Sequence, residues 1–344
     1  MQYEITLPGP LLTVAGELAQ RGYAKRPLLT YEPSRIAPTR FAPFNRWRLK
    51  EWDYYAVTAR DWFFSATVAD VGYLGMAFIY TIDFASATMR EATAIVPLGV
   101  GVRLPASSRA GDIVFDRRGV RLRFERRPDV RRLFVDWPRF HAGRPLHAEL
   151  TARQPERIES IVMATPMGPK RFYYNEKINC LPTEGFVDMG DVRLEALPAA
   201  ALASLDWGRG VWPYQTFWNW ASASGFLPDG RTIGLNLGKG FGDLTAATEN
   251  CFFIDGRMEK LGWVDFEYDP GNLHRPWHFI DDAGRLELTF TPFFERPSIV
   301  NLGALKTEAH QMFGHYDGFV APAKGRKIKI DRLIGWAEEH HARW

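Results

Sequence analysis

The sequence predicts an all-β protein built from two antiparallel β-barrels in tandem, with a proline-rich N-terminal arm and a short C-terminal helix. Three observations carry this prediction. Aromatic residues are abundant, with 24 Phe, 12 Trp and 12 Tyr among 344 residues, and aromatic side chains favour strands. Aromatic and β-branched runs are separated by short polar turns, as in antiparallel sheets. A chain of this length exceeds the usual single hydrophobic core, which favours two domains.

Residues 1–45 form the predicted arm, because repeated prolines exclude long regular elements there. These prolines are Pro8, Pro10, Pro27, Pro33, Pro38 and Pro43. Residues 46–165 form the predicted first barrel, with a hairpin turn at 117–119. Its strands are expected at 47–57, 62–69, 73–82, 112–116, 120–126, 131–137, 146–152 and 158–164.

Residues 166–344 form the predicted second barrel, which follows a joint at 165–171. Strand patterns resume at 172–178 and 185–189. The run Pro198 to Leu205, which is rich in alanine, predicts a short helix with proline tolerated in its first turn. Hairpin turns are then expected at Asp229-Gly230, Asp255-Gly256 and Asp282-Ala-Gly284, whose even spacing is typical of a meander that closes into a barrel.

The last segment is predicted to be a strand at 327–330 followed by the closing helix. Asp331 is a suitable helix cap. The helix would place four residues on one stripe against the barrel, namely Leu333, Ala337, His340 and Trp344.

Composition and motifs limit the classes of function. The net charge of +3 is too small to indicate nucleic-acid binding. The segment at the N-terminus lacks the features of a signal peptide, and the longest run of low polarity, 71–82, is far shorter than the roughly 20 residues of a membrane helix. With only two cysteines, Cys180 and Cys251, the chain is predicted to be a soluble protein of the cytoplasm.

No cofactor or metal is expected. The glycine-rich run Gly238-Lys-Gly-Phe-Gly242 has neither the Walker nor the dinucleotide spacing, and a flexible hairpin loop is the preferred interpretation. His315, His340 and His341 lack the spacing of a recognised zinc motif.

Eight arginines lie between Arg117 and Arg132. They could bind an anionic surface, so a peripheral membrane contact is one interpretation. The alternation of Arg121, Leu122, Arg123 and Phe124 favours the other, which is the solvated outer face of a half-exposed strand.

The segment 212–250 carries the candidate pocket. In an extended strand Trp218, Trp220, Ser222 and Ser224 share one face, and Phe217, Asn219, Ala221 and Ala223 share the other. Residues 216–225 contain no charge, so neither face has the character of a solvent-facing strand. The predicted ligand-binding residues are Tyr214, Trp218, Asn219, Trp220, Asn236 and Asn250.

Two carboxylates are candidate proton donors if the protein is an enzyme. Glu249 lies in an otherwise apolar segment, where a carboxyl is costly to bury unless it is paired or protonated; a salt bridge to an arginine such as Arg275 is the structural alternative. Glu308 stands two residues from His310 on a probable strand, so the two could form an acid/base pair. A solvated face shared with Lys306 is equally compatible.

Several segments resemble the domain of unknown function 2804 family. They are Glu51-Trp-Asp-Tyr-Tyr, Phe63-Phe-Ser-Ala-Thr-Val-Ala-Asp-Val-Gly-Tyr, Lys177-Ile-Asn-Cys-Leu-Pro, Trp218-Asn-Trp-Ala-Ser-Ala-Ser-Gly, Leu288-Thr-Phe-Thr-Pro-Phe-Phe-Glu-Arg and Gly335-Trp-Ala-Glu-Glu-His. The family is grouped with the lipocalin-like superfamily, beside the carotenoid hydratases (hydroxyneurosporene synthases) and related two-barrel cyclases. The resemblance implies two lipocalin-like barrels and a pocket for an apolar molecule, and it brings no catalytic residue with it.

Two functional classes therefore remain. One is a binding protein that shelters an apolar small molecule such as an isoprenoid, a lipid or a polyketide. The other is an enzyme that performs acid-assisted hydration, isomerisation or cyclisation of an unsaturated molecule of this kind. The two differ in whether a carboxylate meets the aromatic wall or is sealed in a salt bridge.

Overall fold

The computed structural model describes residues 2–37, 42–302 and 305–343. Pro38 and Trp344, which were named in the predictions above, lie outside these residues. The first part of the chain contains short strands, a 3-10 helix at Pro33–Arg35 and the helix α1 at Ala42–Arg48. The short strands are β1 (Gly9–Pro10), β2 (Gly22–Ala24) and β3 (Leu29–Thr30).

Thirteen further strands, most of them long, follow as far as residue 211. They are β4 (Leu49–Thr58), β5 (Trp62–Asp70), β6 (Leu74–Asp83), β7 (Thr88–Pro97), β8 (Val102–Arg103), β9 (Ile113–Arg117), β10 (Val120–Arg127), β11 (Val130–His141), β12 (Arg144–Arg153), β13 (Ile161–Gly168), β14 (Arg171–Asp188), β15 (Arg193–Ala196) and β16 (Leu202–Val211).

The remaining strands begin after the connection 212–214. They are β17 (Gln215–Phe226), β18 (Thr232–Lys239), β19 (Cys251–Ile254), β20 (Arg257–Lys260), β21 (Val264–Glu267), β22 (Trp277–Asp281), β23 (Leu286–Leu302), β24 (Leu305–Val320) and β25 (Ile328–Arg343).

Apart from β1 and β3, which pair in parallel as a separate two-stranded sheet, the strands form two large antiparallel sheets, each curled around its own apolar core. The first sheet has 14 strands in the main order β7-β6-β5-β4-β16-β14-β12-β11-β10-β9-β8, with β2, β13 and β15 joined at its side. The second sheet has nine strands in the order β20-β19-β18-β17-β25-β24-β23-β22-β21. The all-β prediction of tandem lipocalin-like barrels is thereby confirmed.

The sheets change at the connection 212–214, whereas the sequence placed the domain limit at 165/166. Strands β14 to β16 belong to the first sheet, because β16 pairs with both β14 and β4. We propose that the two domains divide between Val211 and Gln215.

The predicted hairpin turns are present. Arg118 and Gly119 have φ of 53° and 80° between β9 and β10, and Asp255 and Gly256 have 48° and 74° between β19 and β20. Positive φ at both central residues matches the twist of antiparallel strands.

The two predicted helices are wrong. Residues 198–201 form a turn, and 202–211 form β16, which is buried along its whole length between two neighbouring strands. The segment after Asp331 continues β25, which is hydrogen-bonded to β17 on one edge and β24 on the other. In both segments backbone pairing in the sheet outweighs a modest local helix preference.

The outer faces of the two sheets pack against each other, and we call this contact the junction. Its centre is an apolar cluster that takes Tyr54, Phe63 and Tyr80 from the first sheet, and Trp220 and Trp336 from the second. Alternation along a strand explains the arrangement, since one face serves the sheet's own core and the other serves the junction.

A β-bulge in β14 fastens the sheets together. The register shifts between Ile178 and Leu181, and Cys180 adopts φ of 62°. Because of the extra residue, Asn179 points to the second sheet, where its Nδ2 lies 3.0 Å from Ser222 Oγ and 3.2 Å from the Leu235 carbonyl oxygen.

Candidate functional site

The predicted alternation along β17 is confirmed. Ala221 and Ala223 face the core of the second sheet, and Trp220 faces the junction. The aromatic wall formed by Trp218 and Trp220 therefore lies outside the core of the second barrel, between the two sheets.

The wall continues beyond β17 into a group of packed rings. Trp218 lies 6.3 Å from Trp212 and 5.0 Å from Phe241, measured between ring centroids. Trp52 of the first sheet stacks on Tyr173 at 5.6 Å. Trp52, Trp218 and Phe241 are partly exposed, so this part of the junction is accessible from solvent.

Four charged side chains lie in this wall, and we call them the junction cluster: Lys177, Asp206, Glu249 and Glu338. The ammonium of Lys177 is 3.1 Å from Glu249 Oε2, 3.8 Å from Asp206 Oδ2 and 4.0 Å from the centroid of the Trp220 ring. Burial lowers the pKa of Lys177, but the charges of Asp206 and Glu249 outweigh burial, and its pKa is raised. Lys177 is therefore a cation at neutral pH.

Glu249, the favoured candidate from the sequence, is held in this salt bridge. Its carboxylate also lies 3.4 Å from Asn236 Nδ2, while the Oδ1 of Asn236 accepts a hydrogen bond of 2.8 Å from Trp220 Nε1. The partner of Glu249 is Lys177 and not Arg275, which pairs with Asp269 at 2.9 Å. Trp218, Trp220, Asn236 and Glu249 thus meet as the sequence indicated.

Glu338 on β25 meets the aromatic wall differently. Its Oε1 accepts a hydrogen bond of 2.9 Å from Trp218 Nε1, and it lies opposite Trp220 in the strand register. Among the described residues, no basic side chain forms an ion pair with it within 4.0 Å. Removal from water raises the pKa of Glu338 to about 7. Part of its surface remains accessible.

Asp206 is the third acid of the cluster. Burial raises its pKa to about 6, and the charge of Lys177 limits the rise. Its Oδ1 has no hydrogen-bond partner within the described chain. The cluster therefore holds three carboxyls and one ammonium, and burial raises the pKa of two of the carboxyls, those of Asp206 and Glu338.

His340 extends this site along β25, two residues from Glu338. Its ring centroid lies 3.9 Å from that of Trp218, and its Nε2 is 2.6 Å from Thr307 Oγ1. Removal from water lowers the pKa of His340 to about 3, so the imidazole is neutral at neutral pH.

Glu308 and His310 do come together, with 3.5 Å between Glu308 Oε1 and His310 Nε2. Glu308 also pairs with Lys306 at 2.5 Å. This contact agrees with the alternative interpretation, in which Glu308 shares a solvated face with Lys306. The hydrogen bond from Lys306 lowers the pKa of Glu308, which disfavours it as a proton donor. His310 is further paired to Glu295 at 2.7 Å.

The other predicted ligand residues lie apart from the junction cluster. Tyr214 is 44% exposed in the connection between the sheets. Asn219 faces the other side of β17, where its Nδ2 donates to Tyr268 Oη at 3.1 Å. Asn250 accepts from the Gly238 amide at 2.7 Å and donates to the Gly262 carbonyl at 3.1 Å, so it fastens a loop.

A second group of buried charges, the inner cluster, lies within the first sheet and consists of Glu51, Asp53, Arg126 and Arg209. Asp53 pairs with Arg126 through one oxygen and with Arg209 at 2.9 Å through the other. Arg209 Nε lies 3.3 Å from Glu51 Oε1. Two acids here face two bases.

The other arginines of the run 117–132 include both buried and exposed side chains. Arg131 is buried and donates to Gln154 Oε1 at 2.6 Å, while Arg123 and Arg127 pair on the surface with Asp112 and Glu125. A peripheral membrane contact through this run stays a prediction.

Within the described chain, no group of three or more His, Cys, Asp or Glu side chains has the arrangement of a metal site. A search for apolar helices of membrane-spanning length likewise finds none in that part of the chain.

Sequence reasoning missed Lys177, Asp206 and Glu338. The alternation Trp336-x-Glu338-x-His340 was the available signal, because a strand would place all three on one face with the tryptophans. The predicted C-terminal helix concealed it.

Two curled sheets with separate cores in one chain define a tandem lipocalin-like β-barrel protein. The chain belongs to the family described as a domain of unknown function, DUF2804, whose model matches residues 2–344. A search among curated proteins gives no match.

Solved structures share the fold at low sequence identity. A crystal structure of CghA with Sch210972 is similar with a TM-score of 0.55 and 12% identity, covering 86% of this chain and 88% of that chain. A crystal structure of a protein described as ATTH from Nitrosomonas europaea is similar with a TM-score of 0.51 and 15% identity, covering 88% and 98% respectively.

Proposed function

We propose that this protein is an enzyme that protonates an unsaturated, largely apolar small molecule at the junction, with Glu338 as the proton donor. The observation that carries the proposal is the position of Glu338 in the aromatic wall, where the Trp218 indole N–H donates to it at 2.9 Å and no basic side chain among the described residues forms an ion pair with it within 4.0 Å. The structure of CghA with Sch210972 supports a small-molecule ligand for this fold.

The chemistry needs an acid that is still protonated near neutral pH. An ordinary solvated glutamate is not, whereas a carboxyl with a pKa of about 7 is protonated in about half of the molecules at that pH. Glu249 is less suitable, because its carboxylate is held in a salt bridge of 3.1 Å to the Lys177 ammonium.

The step begins with proton transfer from Glu338 to one carbon of a double bond, which leaves a cation on the other carbon. The faces of Trp218 and Trp220 would stabilise this charge. Addition of water, loss of a neighbouring proton or attack by a second double bond then gives hydration, isomerisation or cyclisation. In each case one proton is released, which restores the acid form of Glu338.

Deuterium incorporation tests the proposal even while the substrate is unidentified. A small-molecule extract of the cells that produce the protein is incubated with the purified protein in D2O. The products are followed by untargeted mass spectrometry. Protonation at carbon leaves one non-exchangeable deuterium in the product. We expect labelled products with the wild type and with Glu308→Gln, and none with Glu338→Gln.

Labelling that persists in Glu338→Gln removes Glu338 from the role. A wild type that labels nothing but retains a compound in an organic extract of the purified protein would establish the sheltering role instead.

A further inference from the structure

The ring of Phe241 is surrounded by three other aromatic rings of the junction. Its centroid is 4.9 Å from Tyr173, 5.0 Å from Trp212 and 5.0 Å from Trp218, with interplanar angles of 85°, 84° and 70°. Edge-to-face contacts of this kind suit any flat ring of similar size. The three rings thus form a seat for one six-membered ring.

The segment that carries Phe241 is a glycine-rich loop. Gly240 and Gly242 have φ of 89° and 83°, and residues 240–250 form no strand. The ring of Phe241 is itself partly exposed. The Asp243 amide donates to the Pro166 carbonyl at 2.8 Å and anchors the loop just after Phe241, so the ring must leave the seat by movement of residues 240–242.

A small cavity of about 10 Å³ adjoins the seat, and Tyr173, Asn175, Phe241 and Glu249 contribute to its lining. Asn175 is fully buried, and its Oδ1 accepts a hydrogen bond of 3.0 Å from the Met163 amide. Its Nδ2 makes no well-formed hydrogen bond among the described residues and lies beside the Tyr173 side chain. A buried donor without a partner is costly, so this site favours a ligand that brings an acceptor.

We propose that the seat of Phe241 is a ring-binding subsite for a flat six-membered carbon ring with one oxygen substituent, such as a phenol or a cyclohexenone. The ring replaces Phe241 between Tyr173, Trp212 and Trp218, and the oxygen accepts from Asn175 Nδ2. Trp218 joins the subsite to the acid, since it contacts Phe241 and donates to Glu338. The ring class of the substrate rests on the proposed function, whereas ring binding itself does not.

The test uses p-cresol as the probe and toluene as its analogue without oxygen. In the wild type the probe must displace Phe241, so Phe241→Ala should bind p-cresol at least about tenfold more tightly by isothermal titration calorimetry. Toluene should bind the variant more weakly than p-cresol. The matched control is Phe226→Ala, which removes a phenylalanine that is 39% exposed at the other end of β17 and should bind like the wild type.

Displacement has its own readout in the wild type. Lys239, whose side chain is 43% exposed, precedes the loop, so trypsin can cleave after it when the loop opens. We expect p-cresol to accelerate this cleavage. Equal affinity in wild type and Phe241→Ala, or cleavage that p-cresol does not accelerate, overturns the subsite; equal binding of toluene and p-cresol overturns the oxygen contact.

Calorimetric binding of p-cresol involves no turnover, so it does not depend on proton transfer from Glu338. Failure of the deuterium experiment would therefore remove the catalytic proposal and leave ring binding standing, and failure of ring binding would leave proton transfer to be judged by deuterium.

Discussion

The inner cluster and the junction cluster are both buried groups of charged side chains, but they differ in charge balance. In the inner cluster Asp53 and Glu51 face Arg126 and Arg209, and both oxygens of Asp53 are bound by guanidinium groups. In the junction cluster Lys177 pairs with Asp206 and Glu249, whereas Glu338 forms no ion pair within 4.0 Å among the described residues.

Burial of charge is therefore not by itself a sign of chemistry. Buried carboxylates that are each paired with a guanidinium group, as in the inner cluster, serve stability and orientation. A buried carboxyl that lacks an ion-pair partner, as Glu338 does, has its pKa raised to about 7, so it can hold a proton near neutral pH and transfer it. The balance of charge separates the structural cluster from the candidate catalytic one.

Removal of one acid from each cluster should lower stability by very different amounts. Asp53→Ala leaves Arg126 and Arg209 buried without that partner, and we expect a loss of about 3–5 kcal/mol in the free energy of unfolding. Glu338→Gln replaces a carboxyl that is partly protonated, and should cost less than about 1 kcal/mol at pH 6. Urea unfolding followed by tryptophan fluorescence measures both. Equal losses would remove the distinction between the clusters.

The second prediction concerns pH. The pKa of Glu338 is about 7 in the folded protein against an ordinary value of 4.5, so the folded state binds its proton more tightly. The resulting stability is complete below about pH 4.5 and is lost as the pH rises through about 7. Between pH 5 and pH 8 the wild type should therefore lose on the order of 2 kcal/mol relative to Glu338→Gln.

Urea titrations of the two proteins at pH 5, 6, 7 and 8 check this difference. Glu308→Gln is the matched control, because the pKa of Glu308 is lowered and not raised. A wild-type curve parallel to that of Glu338→Gln would contradict a raised pKa at Glu338.

The pH-dependent stability should be much smaller for the more exposed group around His310, which serves as a reference for the two buried clusters. Burial lowers the pKa of His310, but hydrogen bonds to Glu295 and Glu308 outweigh burial, and the pKa is raised. This stability is complete below about pH 6.5 and is lost as the pH rises through the folded value. Because solvent screens the group, we expect only a few tenths of a kcal/mol.

Histidine NMR titration, with His310→Gln to assign the resonance, measures the pKa directly. A value at or below the ordinary 6.5 would contradict the ion pairs to Glu295 and Glu308.

The sequence predicted those features that depend on neighbours along the chain. The face shared by Trp218 and Trp220 and the turns at Asp229-Gly230 and Asp255-Gly256 follow from alternation and from backbone preference, and the structure has them. The pairing of β25 with β17 and β24 is not local. Leu333, Ala337 and His340 have helical spacing, so the pattern was compatible with both structures.

The site was predicted in part for the same reason. Trp218, Trp220, Asn236 and Glu249 lie within one short stretch, and the structure brings them together. Glu338 and Lys177 come from strands far apart in sequence, and the bulge at Cys180 changes which side chains of β14 face the junction. No local pattern contains that information.

The pairing of β4 with two strands far apart in sequence has a consequence for synthesis on the ribosome. Strand β4 pairs on one side with β5 and on the other with β16, where Asp53 lies opposite Trp207. At typical translation rates the second partner follows roughly 10 s after the first. During that interval β4, with Trp52, Tyr54 and Tyr55, offers an open edge to any neighbouring nascent chain. A fragment that ends at residue 165 keeps this edge open permanently and should aggregate.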